Sequence, residues 1–167
     1  MNIYLIGFMG SGKSHIGRLL AERLGYAFVD LDAEIVQYAN KSISQIFAKE
    51  GEAAFRLQEA DALRKTAALS QTVIATGGGC PCFHENMTWI NANGCAIFLN
   101  PSVDCLLQRL ALELAKRPLL ANKNEAELRE YIRGLMAERL KFYQQAAFIV
   151  ELEEESEILN AILTFIP

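Results

Sequence analysis

The chain has 167 residues, 51% of them hydrophobic and 22% charged, with a net charge of −4. That length suits one domain with a sizeable core. The charge disfavours a nucleic-acid platform, which needs a basic face. No stretch is long enough to span a bilayer, and the N-terminal apolar run ends at Gly7 without a basic region before it, so neither a membrane anchor nor a signal peptide is expected. Cytoplasmic residence follows as the expectation, and the four cysteines (80, 82, 95 and 105) read as free thiols in a reducing compartment. Cys80-Pro81-Cys82 with His84 lacks zinc-site spacing and a second ligand pair.

The first element is a buried strand, Ile3-Tyr4-Leu5-Ile6. Gly7-Phe8-Met9-Gly10-Ser11-Gly12-Lys13-Ser14 follows, and then Ile16, Leu19, Leu20 and Leu24 repeat at helical spacing. A G-x-x-x-x-G-K-[ST] segment between strand and helix is the context of a phosphate-binding P-loop. Its backbone N–H groups turn inward at phosphate oxygens, and the helix N-terminus adds positive charge. Lys13 is placed to reach the β- and γ-phosphates, and the Ser14 hydroxyl to ligate Mg²⁺. The bland alternative is a glycine-rich turn with a solvated lysine.

Gly25 ends that helix, and Ala27-Phe28-Val29 forms a second strand running into Asp30-Leu31-Asp32. Two carboxylates two residues apart point the same way if the chain stays extended, although one of them could cap the next helix. That helix is expected from Ala33 to Tyr38. Ser42 and Gln45 make a capping box for a short helix stopped by Gly51, and a longer helix runs from about Glu52 to Leu69. Arg56 and Glu59 are i, i+3 neighbours on it, so a surface ion pair is the plain reading of Arg56.

Val73-Ile74-Ala75 is a third strand, leading into Thr76-Gly77-Gly78-Gly79. Three glycines at a strand end suggest close approach of backbone to a ligand. A helix over Glu85 to Asn93 is closed by Gly94, and Ala96 to Leu99 is the fourth strand. Pro101-Ser102 starts a helix carrying Val103, Leu106, Leu107 and Leu110. Lys116-Arg117-Pro118 breaks the pattern, and Leu119 to Asn124 is read as a loop. Asn124 with Glu127 opens a helix that ends near Tyr143; Phe148-Ile149-Val150 is a fifth strand, and Ile158, Leu159 and Ile162 mark a last helix. Apolar strands alternating with helices predict an α/β fold, a parallel sheet covered on both faces. Ligands then gather at the strands' carboxyl ends, where Gly7–Ser14, Asp30–Asp32 and Gly77–Gly79 all lie.

Other P-loop classes fit poorly. Asn122-Lys123-Asn124-Glu125 nearly matches a GTPase N-K-x-D, but it follows a polar loop and ends in Glu. A motor or ATPase would place Asp at the end of a central strand, where this chain has Thr and Gly. A small-molecule kinase remains. A kinase acting on gluconate or a nucleoside monophosphate, and a slow ATP-hydrolysing regulatory module, are the rivals.

The P-loop, Asp30-x-Asp32, Ser42-Ile43-x-x-Ile46-Phe47, Gly51-Glu52-x-x-Phe55-Arg56-x-x-Glu59, Ala75-Thr76-Gly77-Gly78-Gly79, Arg117-Pro118-Leu119-Leu120 and Arg139-x-x-x-Tyr143 together resemble shikimate kinase. The resemblance runs in the family's order from Gly7 to Tyr143. It implies a single P-loop kinase domain over 1–167, nucleoside-monophosphate-kinase-like, with a five-stranded parallel sheet flanked by helices on both faces. A substrate-binding segment over about 31–61 and a lid over about 112–123 are implied with it. The implied reaction is ATP-dependent phosphorylation of the 3-hydroxyl of shikimate, with Mg²⁺ as cofactor and a monomer acting on small molecules. By the same resemblance Asp32, Lys13 and Arg117 are catalytic. Gly10, Ser11, Gly12, Lys13, Ser14, His15, Arg109 and Arg117 bind ATP, with Arg109 beside the adenine. Asp32, Arg56, Gly77, Gly78, Gly79 and Arg139 bind shikimate. Ser14 would ligate the metal, and Asp30 would hold it through water.

The chain also departs from the family. His15 stands where Thr is usual, the segment before Arg117 lacks its usual glycine, Cys80-Pro81-Cys82 is unusual, and Glu151 to Glu155 make the expected adenine edge acidic.

Overall fold

The computed structural model describes residues 1–112 and 123–166. Five strands form one parallel sheet: β1 (Asn2–Ile6), β2 (Ala27–Asp30), β3 (Thr72–Ala75), β4 (Gly94–Leu99) and β5 (Phe148–Val150), in the order β2-β3-β1-β4-β5. β1 lies between β3 and β4, with Leu5 opposite both Ala75 and Ile97. The chain passes from one side of β1 to the other between β3 and β4, which opens a crevice at the carboxyl end of β1.

Alternation along β1 builds two cores. Ile3 and Leu5 face α1 (Lys13–Leu24) and α7 (Glu155–Phe165), packing on Ile16, Leu20, Ile158 and Ile162. Tyr4 and Ile6 face the other way, onto α3 (Ile43–Lys65), α4 (Asn86–Asn93) and α6 (Glu125–Tyr143), through Leu63, Met87, Ile90 and Tyr143. Phe8 of the P-loop leaves the sheet and packs with Leu106 and Leu110 of α5 (Val103–Leu112) and Ile132 of α6. That cluster ties the phosphate loop to the two helices flanking 113–122.

The expected capping box of Ser42 with Gln45 forms on α3, and the helix start read at Asn124 with Glu127 is a second capping box, on α6. Gly51 breaks α3 with φ 83°, ψ 170°, separating the two helices read from sequence. The second of them ends at Lys65, short of the expected Leu69, and a 3₁₀ turn covers Thr66–Ala68.

One expectation needs correction. The chain does not stay extended through Asp30-Leu31-Asp32, because α2 (Leu31–Ala39) begins immediately after β2. Asp30 Oδ1 caps it, accepting from the N–H groups of Asp32 and Ala33 at 3.1 and 3.3 Å. An Asp cap contributes about 1 kcal/mol, and Leu31, buried in the sheet–helix core, fixes where the turn occurs. Asp30 and Asp32 therefore serve different parts of the crevice.

Candidate active site

The P-loop wraps between β1 and α1. Gly12, at φ 91°, ψ 13°, takes the left-handed conformation that turns the chain into α1, and no side chain caps this helix end. The first N–H groups of α1 are thus directed at the crevice, with the helix dipole behind them. Lys13 is buried, its Nζ donating to Gly7 O at 2.9 Å, Phe8 O at 2.8 Å and Ser11 Oγ at 3.3 Å. Ser11 turns its hydroxyl inward to that ammonium and does not line the cleft, whereas Gly10, Gly12, Ser14 and His15 do. Ser14 Oγ donates to Asp30 Oδ2, so one carboxylate both caps α2 and anchors the start of α1.

The cleft has a volume of about 850 Å³. Its far end is built by α2, α3, α6 and the glycine strand end. Tyr143 hydroxyl donates to Gly78 O and pins that loop to α6; burial raises the phenol's pKa. A Cβ on Gly77 would lie 2.4 Å from Glu59 Oε1 and 3.0 Å from Asp32 Oδ1. One on Gly79 would lie 2.6 Å from Arg56 Nη2, and one on Gly78 would lie 3.6 Å from Arg139 Nη1. Gly77 and Gly79 thus let backbone pack against two carboxylates and Arg56, drawn from two helices, while Gly78 lies against the Met9 backbone with Arg139 of a third helix beside it.

Arg56 is not on the surface, which corrects the plain reading of its ion pair. It is 8% exposed, and its Nη1 donates to Glu59 Oε2 at 2.8 Å, with Glu59 0% exposed. Its Nε and Nη2 both donate to Glu52 Oε1, at 3.2 and 3.1 Å. Burial opposes the Arg56 charge, but the two carboxylates outweigh it and raise its pKa. Glu59, read from spacing only as a surface partner of Arg56, is fully buried and lines the cleft. Phe55, Glu59 and Leu63 repeat at i+4 on the core-facing stripe, and a Glu in that stripe is a signal of a buried partner.

Burial, opposed by Arg56 and reinforced by the Asp32 charge, pushes the Glu59 carboxyl from 4.5 up to about 7. The folded protein then keeps a proton that the unfolded chain has released between those values. Stability should therefore fall as pH rises from about 4.5 to about 7 and level off above, by an amount on the order of 3 kcal/mol. Melting temperatures of the wild type and Glu59→Gln across pH 4.5–8 check this, since the variant lacks the titrating carboxyl. A wild-type-minus-variant difference independent of pH would remove it.

The other end is bounded by Arg109, His15, Glu153, Glu154, Glu155 and Ile158. Arg109 Nη1 donates to Gly10 O at 3.3 Å, joining α5 to the phosphate loop. His15 contacts the Glu155 carboxylate, so its substitution for the usual Thr has a partner in the acidic stretch. The expected lid, with Arg117 expected to be catalytic, lies outside the described residues except at its edges, Leu112 and Lys123. The structure thus brings every other expected site residue to one crevice, with only the Ser11 side chain turned from the opening. All four cysteines are free, and burial pushes the Cys82 thiol up to about 11 and the Cys80 thiol well above its ordinary value.

The family model for shikimate kinase matches residues 9–167. Shikimate kinase of Bacteroides thetaiotaomicron is 38% identical over 165 residues, covering 97% of this chain and 94% of that protein. Shikimate kinase of Nostoc punctiforme is 41% identical, covering 100% and 91%. Among solved structures, shikimate kinase from Bacteroides thetaiotaomicron superposes with a TM-score of 0.93 at 35% identity, covering 98% of this chain and 97% of that one. Shikimate kinase from Acinetobacter baumannii in complex with shikimate gives 0.86 at 35% identity, covering 98% and 93%. A gluconokinase from Sinorhizobium meliloti, at 17% identity and a TM-score of 0.61, shares the fold. With most of its length matched by the family model and by relatives above 30% identity, this chain belongs to the shikimate kinase family.

Proposed function

We propose that the cleft transfers the γ-phosphoryl group of ATP to the 3-hydroxyl of shikimate, giving 3-phosphoshikimate and ADP on the route to chorismate and the aromatic amino acids. The observation that carries this reading is the pair of arginines, Arg56 from α3 and Arg139 from α6, meeting the triple glycine in the same cleft as the P-loop. Two planar forks suit a carboxylate better than lysines do. In this reading residues 31–61 form the acceptor-binding segment, and Gly77, Gly78 and Gly79 give the ring its backbone contacts.

Each step then has a residue. The N–H groups around Gly10, Ser11 and Gly12 cradle the phosphates, and Lys13 neutralises charge on the transferring group. Arg109 flanks the adenine, with His15 beside it. Asp32 orients the 3-hydroxyl and accepts its proton as the oxygen bonds to phosphorus and the bond to the ADP oxygen breaks. Arg117 belongs to a lid over about 112–123 that brings a further cation to the phosphates. Ser14 hydroxyl and Asp30 carboxylate, already in contact, are hard oxygen donors of the kind Mg²⁺ takes when phosphates and waters complete its shell. Ser14 would hold the ion directly and Asp30 through water, and the ion would offset negative charge on the β- and γ-oxygens. The enzyme acts as a cytoplasmic monomer on two small molecules, its negative net charge unsuited to nucleic acid.

A coupled assay of ADP release with shikimate, gluconate, AMP or no acceptor tests the assignment, and shikimate alone should drive turnover. In the same assay Arg56→Lys and Arg139→Lys keep charge but lose the fork. Each should weaken shikimate by about 1.5–3 kcal/mol per lost charge-assisted contact while ATP affinity holds. Wild-type shikimate affinity in both variants would remove the clamp.

A further inference from the structure

The segment following the triple glycine is built with more care than a connection needs. Cys80–Cys82 form a 3₁₀ turn, Phe83 is extended at φ −125°, ψ 156°, and His84 and Glu85 both take left-handed φ, 49° and 55°. Two successive non-glycine residues in that region are unfavourable and persist only where contacts hold them. Those contacts are present. Arg64 donates from Nη2 to His84 O and from Nη1 to Asn86 Oδ1, each at 2.8 Å. Asn86, fully buried, donates to Cys80 O at 2.8 Å. The thiols offer no reactive group here, since burial raises both.

What this brace places is the Phe83 ring, 4.3 Å from Cζ of Arg56 to the ring centroid. Phe83 is 36% exposed and is not among the residues lining the cleft, and it reaches the site through Arg56. The same guanidinium packs against the Gly79 backbone, and Glu52 and Glu59 take its Nε, Nη1 and Nη2. Of these partners Glu52 is the loose one, its side chain 58% exposed, and the Phe55 ring lies 5.2 Å from Cζ, farther than the ring of Phe83. An aromatic face attracts a guanidinium and fixes its plane.

We propose that Phe83 is a positioning residue for acceptor binding, its ring holding the Arg56 guanidinium in the plane and depth at which its remaining N–H groups fork the acceptor carboxylate. The inference rests on reading Arg56 as that clamp. A cation held in its bound geometry binds without a further ordering penalty, so losing the ring should appear in shikimate affinity and leave ATP affinity alone.

Phe83→Leu keeps apolar bulk and removes the aromatic face, and Phe83→Tyr keeps the face. Phe83→Leu should raise the shikimate KM about two- to thirtyfold, the range spanned by such contacts, with ATP KM and melting temperature near wild type. Phe83→Tyr should restore the wild-type value. A shikimate analogue with a carboxamide for the carboxylate should be much less sensitive to Phe83→Leu. Unchanged shikimate KM in Phe83→Leu, failure of Phe83→Tyr to restore it, or equal losses for ATP and shikimate with a lowered melting temperature would each overturn the proposal. Arg56→Lys separates the two readings. If it weakens shikimate and Phe83→Leu does not, only the positioning role fails; if it does not weaken shikimate, the clamp fails and Phe83 with it.

Discussion

Asp32→Asn is expected to lower kcat by about 10²–10⁴ with the fold intact. The substitution is isosteric, and the cap of α2 comes from Asp30, so Asp32 can change without unpinning the helix. Asp32 is the second residue of α2, with its Oδ1 close under Gly77, as is Glu59 Oε1, where an acceptor hydroxyl packed on that glycine would meet a carboxylate. Two roles separate in the kinetics. A base or orienting group lost from the transition state lowers kcat and kcat/KM together, whereas a simple ligand of the hydroxyl raises shikimate KM and spares kcat. A loose phosphoryl-transfer transition state asks little of a base, which favours orientation as the larger part of the effect. Near-normal turnover with normal shikimate affinity would exclude both roles.

Much of this was legible where local chemistry dictates local structure. The P-loop, the helix starts at Ser42 and Asn124, and the strand Phe148–Val150 depend on neighbours in sequence, and the structure places them as read. The start of α2 was not legible. Asp30 suits a strand end and a helix cap equally, and burial of Leu31 decides between extended and helical continuation. Arg56 and Glu59 show a different limit, because i, i+3 spacing reports that two side chains meet but not whether water reaches them. The Phe83 contact with Arg56 was beyond reach for a further reason. It joins residues in separate elements, and its geometry is set by Arg64 and Asn86 acting on a turn whose left-handed residues carry no glycine signal.

Lys13→Met is expected to lower kcat at saturating ATP by about 10²–10³, the scale of removing one well-placed charged donor from a transition state. ATP affinity should fall as well, since a charge-assisted hydrogen bond to phosphate is worth about 1.5–3 kcal/mol. The geometry also supplies a competing account. Lys13 Nζ donates to the Gly7 and Phe8 carbonyls, so the lysine braces the loop that it would serve, and the brace alone could explain its burial. Methionine keeps the volume and leaves those carbonyls without this donor, a loss of about 1–3 kcal/mol in stability. For a chain of this size that lowers the melting temperature by roughly 2–12 °C. The two accounts therefore predict different pairs of measurements. A brace lowers the melting temperature, and kcat recovers once assay temperature and ATP concentration keep the loop folded and filled. A catalytic cation loses kcat under those same conditions, because the missing charge is the one facing the phosphoryl group as its oxygens spread their negative charge. Wild-type kcat in a folded, ATP-saturated Lys13→Met protein would leave the lysine a brace. The first N–H groups of α1, with Arg117 and the metal, would then carry the phosphoryl charge.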